Sequence, residues 1–205
     1  MKEIIYDWGG INVTLFHAIN DIHSGFIDSF MLLGTALGDH NNFPLYLALL
    51  VLTTLVMLVR MPVHDAATVQ QQILRWMSVV AVFSVGYVVD GWLIGALKPM
   101  LDFPRPPLAL PEGTLHIVGR AELHHSLPSG HASFAMLLVA SLWPLFSRGW
   151  QVAGVFFVLW VGVSRISLGA HFPADVMAGF LLSLSVVTLV SLAVKNLLRW
   201  LGRRN

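Results

Sequence analysis

Read for hydropathy, the chain resolves into long apolar runs separated by short polar stretches. Runs at 43–59, 76–97, 131–146, 152–168 and 172–194 approach or exceed what a helix needs to cross a hydrocarbon layer about 30 Å thick at about 1.5 Å of rise per residue. A further run at 25–38 is shorter and carries Asp28; it is read as a sixth span, with an interfacial or partly buried helix as the alternative. Before it, Lys2, Glu3, Asp7, His17, Asp21 and His23 are mixed with apolar positions. That mixture suits an amphipathic surface helix better than a cleavable signal peptide, and leaves targeting to the first true span. The pattern predicts an all-α integral membrane protein, a six-helix bundle preceded by an amphipathic helix. No long linker, repeat or low-complexity tract divides it, so residues 1–205 read as a single domain.

Composition agrees with that picture. With 56% hydrophobic and 11% charged residues over 205 positions, there are too few polar side chains to coat a soluble globule of this size. The absence of cysteine excludes disulfide and thiolate chemistry. A net charge of +1 and no basic cluster interleaved with aromatics argue against nucleic acid as a partner. The expected surroundings are the lipid bilayer, and the oligomeric state is left open.

Charge then orients the spans. If six spans alternate, Lys2, Arg60, Arg75, Arg148, Lys195, Arg199, Arg203 and Arg204 share one side, which is eight of the twelve Lys and Arg. The positive-inside bias makes that side cytoplasmic. Lys98, Arg105, Arg120 and Arg165 lie on the outer side or just inside its edge, against the bias. As isolated loop cations they would need only lipid phosphates for company, but their neighbours suggest more.

Three stretches meet at that outer edge: 98-KPMLDFPRPP-107, 128-PSGH-131 and 164-SRISLGAHFPAD-175. In the first, Pro99 discourages continuation of the helix beyond Lys98, and Pro104, Pro106 and Pro107 stiffen an extended loop around Arg105. In the second, Ser129, Gly130 and His131 occupy a predicted helix start, where unpaired N–H groups and the positive dipole end favour an anion and glycine allows close approach. Lys98, Arg105 and Arg165 would surround the same anion, the arginines with planar, multidentate donors. In the third, His171 and Asp175 stand four apart, so the carboxylate can hold one imidazole nitrogen and leave the other free as a nucleophile. His131, arriving from another helix, is placed to protonate a departing oxygen. Singly, each feature has a bland reading: an interfacial histidine, a turn, a snorkelling arginine, a helix-start pair. Together they predict a phosphate cradle with a two-step displacement through phosphohistidine, and the scheme needs no metal or other cofactor.

In order and in spacing, Lys-x6-Arg-Pro at 98–106, Pro-Ser-Gly-His at 128–131 and Ser-Arg-x5-His-x3-Asp at 164–175 resemble the signatures of the type 2 phosphatidic acid phosphatase (PAP2) superfamily. The first 97 residues match that family only in hydrophobic layout. The resemblance implies a six-helix, metal-independent membrane enzyme that removes phosphate from lipid headgroups near the outer leaflet. Carried over position by position, His171 resembles the nucleophile, Asp175 its partner and His131 the acid, with Lys98, Arg105, Ser129, Gly130 and Arg165 as the phosphate-binding set. The soluble vanadium haloperoxidases of the same superfamily are disfavoured by the apolar spans.

The expected substrate is a membrane lipid phosphate. Undecaprenyl pyrophosphate is the first choice, with phosphatidate, phosphatidylglycerol phosphate and lipid A phosphate as rivals and phosphotransfer to another lipid as a variant. From another class, a small transporter would spread its charges through the bilayer depth, whereas here they gather at one edge. Of the remaining polar residues, Asp90 is read as a structural partner within the third span, and Asp102 as tuning Lys98 or Arg105 or simply solvated. The segment 108–127, with Glu112, His116, Arg120, Glu122, His124 and His125, is read as a substrate-facing lid rather than a metal site. Trp92, Trp143 and Trp160 read as packing or interface residues.

Overall fold

The computed structural model describes residues 6–61 and 66–203; Lys2, Glu3 and Arg204 of the sequence reading lie outside them. The described residues form no strand. Their helices are α1 (Ile11–Asn20), α2 (Gly25–Leu37), α3 (Phe43–Val59), α4 (Ala66–Leu101), the single turn α5 (Pro106–Ala109), α6 (Gly130–Leu142), α7 (Arg148–Ser167) and α8 (Pro173–Gly202). Among the described residues, four stretches are long and apolar enough to cross a membrane: those carrying α3, α4, α7 and α8; α2 and α6 are apolar but shorter.

The core is built around α6, which packs against α8, α7 and α4. Ala132, Ser133, Phe134, Ala135, Leu137, Leu138, Val139 and Ser141 are all buried, so α6 is hydrophobic on every side, as expected of a central helix. It joins two apolar clusters, one with Phe16, Val158, Phe172 and Phe180 and one with Leu50, Val79, Phe83 and Val187. Close approach depends on small residues. A Cβ on Gly179 of α8 would lie 2.6 Å from the Ser129 carbonyl oxygen, and one on Gly162 of α7 would lie 2.6 Å from the Phe180 ring. The outward faces carry bare Phe26, Val59, Trp92 and Val152, each more than 70% exposed. Large apolar side chains left that bare suit lipid better than water. Trp160, by contrast, stacks on Phe30 at 4.6 Å between centroids.

Three details depart from the sequence reading. Helix α4 runs through Pro99 to Leu101, because proline has no N–H to give the carbonyl of Gly95, one turn back, and so costs the helix that one bond without barring the two residues that follow. The chain breaks out at Asp102, which adopts a left-handed φ of 43°. Past it, the proline-rich stretch is not extended throughout: Arg105 is followed by the helical turn α5, where Pro106 suits a first helical position. Finally, the polar residues of α1 do not all face outward. Asn12, Phe16 and Asn20, spaced by four, form its buried face. Asn12 Oδ1 accepts the Ala174 N–H at 2.9 Å. Asn20 donates to the His116 and Ser167 carbonyls at 2.7 and 2.9 Å and accepts the His116 N–H at 2.9 Å. Helix α1 is thus a brace under the loops at one end of the bundle.

Candidate active site

The three motif stretches converge at that end. Lys98 comes from the last turns of α4, Arg105 from the residue before α5, Gly130 and His131 from the start of α6, Arg165 from the last turn of α7, and His171 from the α7–α8 connection. All six line one cavity of about 320 Å³. Ser129 and Asp175 are fully buried and stand behind its wall.

Asp175 is the hub. It lies in the first turn of α8 and is held on every side. Its Oδ2 accepts the Phe172 N–H at 2.8 Å, the Ser126 hydroxyl and the His171 Nδ1 side at 3.3 Å. Its Oδ1 accepts the Tyr6 hydroxyl at 2.8 Å. A carboxylate so placed fixes the imidazole. Across the ring, Nε2 lies 3.3 Å from Arg105 Nη1, and since a guanidinium can only donate, Nε2 carries the lone pair and Nδ1 the proton. Burial pushes the His171 imidazole down to about 4, against the upward pull of Asp175. At neutral pH the cavity therefore presents an unprotonated Nε2.

Arg105 is itself built in. It is 5% exposed, its Nε donates to the His124 carbonyl at 3.1 Å and its Nη2 meets Glu122 at 2.6 Å. Arg165 Nη1 donates to Thr35 Oγ1 at 3.2 Å. Arg165 Nε and Ser129 Oγ are buried without a hydrogen-bond partner among the described residues, and such donors call for an acceptor. At the start of α6 the expectation needs one correction. The Ser129 N–H donates to the Asp175 carbonyl at 3.0 Å, because the starts of α6 and α8 interlock there. The helix-start amides left to face an anion are those of Gly130, His131 and Ala132, which have no acceptor within the helix. A Cβ on Gly130 would meet nothing within 4 Å, so the approach to that backbone is open.

Several neighbours carry no local sequence signal. Tyr6 stacks on Phe103 at 4.2 Å to reach Asp175, and burial, reinforced by that carboxylate, raises its phenol above its ordinary value, so it remains a donor. Ser126 precedes the Pro-Ser-Gly-His motif by two residues and has only a polar side chain to recommend it. Asp102 does not tune Lys98 or Arg105: it pairs with His125 at 3.1 Å and His124 at 3.7 Å, because the left-handed turn after α4 aims it at the segment 108–127. That segment is anchored as well, since His116 Nε2 meets Asp28 of α2 at 3.0 Å and stacks on His23. Asp90 lines the cavity wall and accepts from Ser133 at 3.0 Å and Ser183 at 2.7 Å, which satisfies it as a structural partner. Among the described residues no three His, Cys, Asp or Glu are grouped to hold a metal ion.

Known proteins resemble this chain in sequence and in fold. The family model described as the PAP2 superfamily matches residues 78–199. Two lipid A 1-phosphatases are similar in sequence. The one from Rhizobium johnstonii is 31% identical over 51% of this chain and 42% of its own length. The one from Rhizobium etli is 36% identical over 45% and 40%. The chain thus spans about two fifths of the length of these curated relatives. In fold it is similar to Aquifex aeolicus LpxE, with a TM-score of 0.69 and 20% identity over 88% of this chain and 94% of that one. It is also similar to a transmembrane PAP2-type phosphatidylglycerolphosphate phosphatase from Bacillus subtilis, with a TM-score of 0.63 and 23% identity over 92% and 86%.

Proposed function

Because this chain belongs to the PAP2 superfamily, we propose that its cavity hydrolyses a lipid phosphate through a phosphohistidine. The observation that carries this is the line Arg105, His171, Asp175, in which a buried, carboxylate-held imidazole turns a neutral Nε2 toward three cations. In the first step Nε2 attacks phosphorus, the P–O bond to the lipid breaks, and His131 gives its proton to the departing oxygen. In the second, His131 takes a proton from water, the water oxygen attacks phosphorus, and the P–N bond breaks to restore His171. Lys98, Arg105 and Arg165, with the amides at the start of α6 and the Ser129 hydroxyl, stabilise the charge on the transferring group, the work a metal performs in other phosphatases.

On substrate, the two relatives named lipid A 1-phosphatases favour the 1-phosphate of a lipid A-type saccharolipid over undecaprenyl pyrophosphate, the first expectation, for which neither of these two speaks. The membrane arrangement proposed is six spans, with the short α2 and α6 added to the four long helices, and the cavity outward in the inner membrane. A phosphate-release panel in EDTA over lipid A 1-phosphate, undecaprenyl pyrophosphate, phosphatidylglycerol phosphate and phosphatidate tests the reading. Release is expected to be fastest from lipid A 1-phosphate and insensitive to chelation. Preference for undecaprenyl pyrophosphate would reverse the substrate choice, and a strict metal requirement would reverse the mechanism.

A further inference from the structure

The corner between α2 and α3, 38-GDHNN-42, is built more firmly than a connection requires. Gly38 presses against α7 so closely that a Cβ there would stand 2.4 Å from Val161 Cγ1. Asn42 Nδ2 donates to the Ala36 carbonyl at 2.7 Å, the Tyr46 hydroxyl donates to the Leu37 carbonyl at 2.8 Å, and Asp39 Oδ1 accepts the Asn41 N–H at 2.8 Å. With its main chain and one oxygen committed, Asp39 turns Oδ2 toward His131 Nε2 at 3.9 Å. His40, which lines the cavity, stands edge-on to His131 at 6.5 Å between centroids.

From this geometry we propose that Asp39 is a positioning residue for His131, steadying the imidazolium that delivers the proton to the leaving oxygen. The inference rests on the reading of His131 as general acid. The titratable and charged groups facing His131 are Arg165 from α7, His171 from the α7–α8 connection, and His40 and Asp39 from the corner. Arg165 opposes a proton on His131, and Asp39 is the one carboxylate among the four. At 3.9 Å the contact is an ion pair rather than a hydrogen bond, and a carboxylate at that range favours the protonated ring. Asp39 also meets His40 Nδ1 through Oδ1 at 3.5 Å, which leaves Oδ2 for His131. Asp175 is sealed off and orients the nucleophile, whereas the Asp39 side chain is 35% exposed and borders the water from which His131 is reprotonated.

The test compares Asp39→Asn, Asp39→Glu and His131→Ala in the full detergent-solubilised chain, on dodecyl phosphate, whose leaving group needs a proton, and 4-nitrophenyl phosphate, whose leaving group does not. Asp39→Asn is expected to lower kcat on the alkyl ester by about 10- to 100-fold and on the aryl ester by less than about threefold, with the basic limb of the alkyl profile moved to lower pH and partial recovery in Asp39→Glu. Equal losses on both esters, or no loss on the alkyl ester while His131→Ala discriminates strongly, would overturn the role of Asp39 alone. If His131→Ala itself fails to discriminate, the assignment of the acid falls and the inference falls with it.

Discussion

At the scale of single residues, the proposed chemistry turns on a histidine kept neutral by burial and oriented by a carboxylate. Since the His171 imidazole is lowered to about 4, the folded protein resists protonation there while an unfolded chain accepts a proton near pH 6.5. Its contribution to stability is therefore unchanged above about pH 6.5, falls as the pH drops through that window and is fully lost below about 4. In activity, the acidic limb of kcat/KM, corrected for ionisation of the substrate phosphate, should lie well below 6.5; a limb at 6.5 or above would show that His171 titrates as an ordinary imidazole. The hydroxyl of Tyr6 donates to Asp175. Tyr6→Phe, which keeps the ring stacked on Phe103, should lower kcat by about 10- to 100-fold at nearly constant KM, as loss of one hydrogen bond to a charged group predicts. A change confined to KM would place Tyr6 in substrate binding instead.

At the scale of elements, the starts of α6 and α8 are one unit. The Ser129 N–H bonds the Asp175 carbonyl, and Gly179 lets the two backbones meet with no side chain between them. Gly179→Ala should push α8 away from α6, lowering thermal stability by about 1–3 kcal/mol as overpacking does and reducing phosphate release from every lipid together; a stable, fully active variant would contradict that coupling. The motif residues were legible in the sequence because each lies beside the end of a predicted span, where a proline, a glycine or a change from apolar to polar marks the place. Tyr6, Ser126 and Asp39 were not, because each acts through a partner distant in the chain and has nothing periodic or motif-like around it. Helix α1 was read by its mixed polarity as a surface element. Hydropathy cannot tell an asparagine that faces water from one, like Asn12 or Asn20, that is buried against carbonyls and amides of another segment. Pro99 misled for a related reason, since the bond it forfeits belongs to the turn behind it, and local sequence does not reveal how far the residues ahead stay helical.

At the scale of the molecule, the distribution of Lys and Arg makes a claim about sidedness. Arg60, Arg75, Arg148, Lys195, Arg199 and Arg203 belong to the side opposite the cavity if the proposed spans alternate, so the cavity should face outward. Since the chain has no cysteine, single cysteines report cleanly. One at Ala109, at the end of α5, should react with a membrane-impermeant maleimide in intact cells once any outer membrane is permeabilised, and one at Ala67 only after lysis. The reverse pattern would overturn the orientation and with it an outward-facing substrate. The most direct test of the central claim is phosphate release by His171→Ala beside the wild type, both purified, folded by thermal melt and assayed in EDTA on lipid A 1-phosphate. The account predicts sustained release by the wild type and none above background by the variant; turnover by the variant within about tenfold of wild type, far short of the loss expected when a covalent nucleophile is removed, would contradict it.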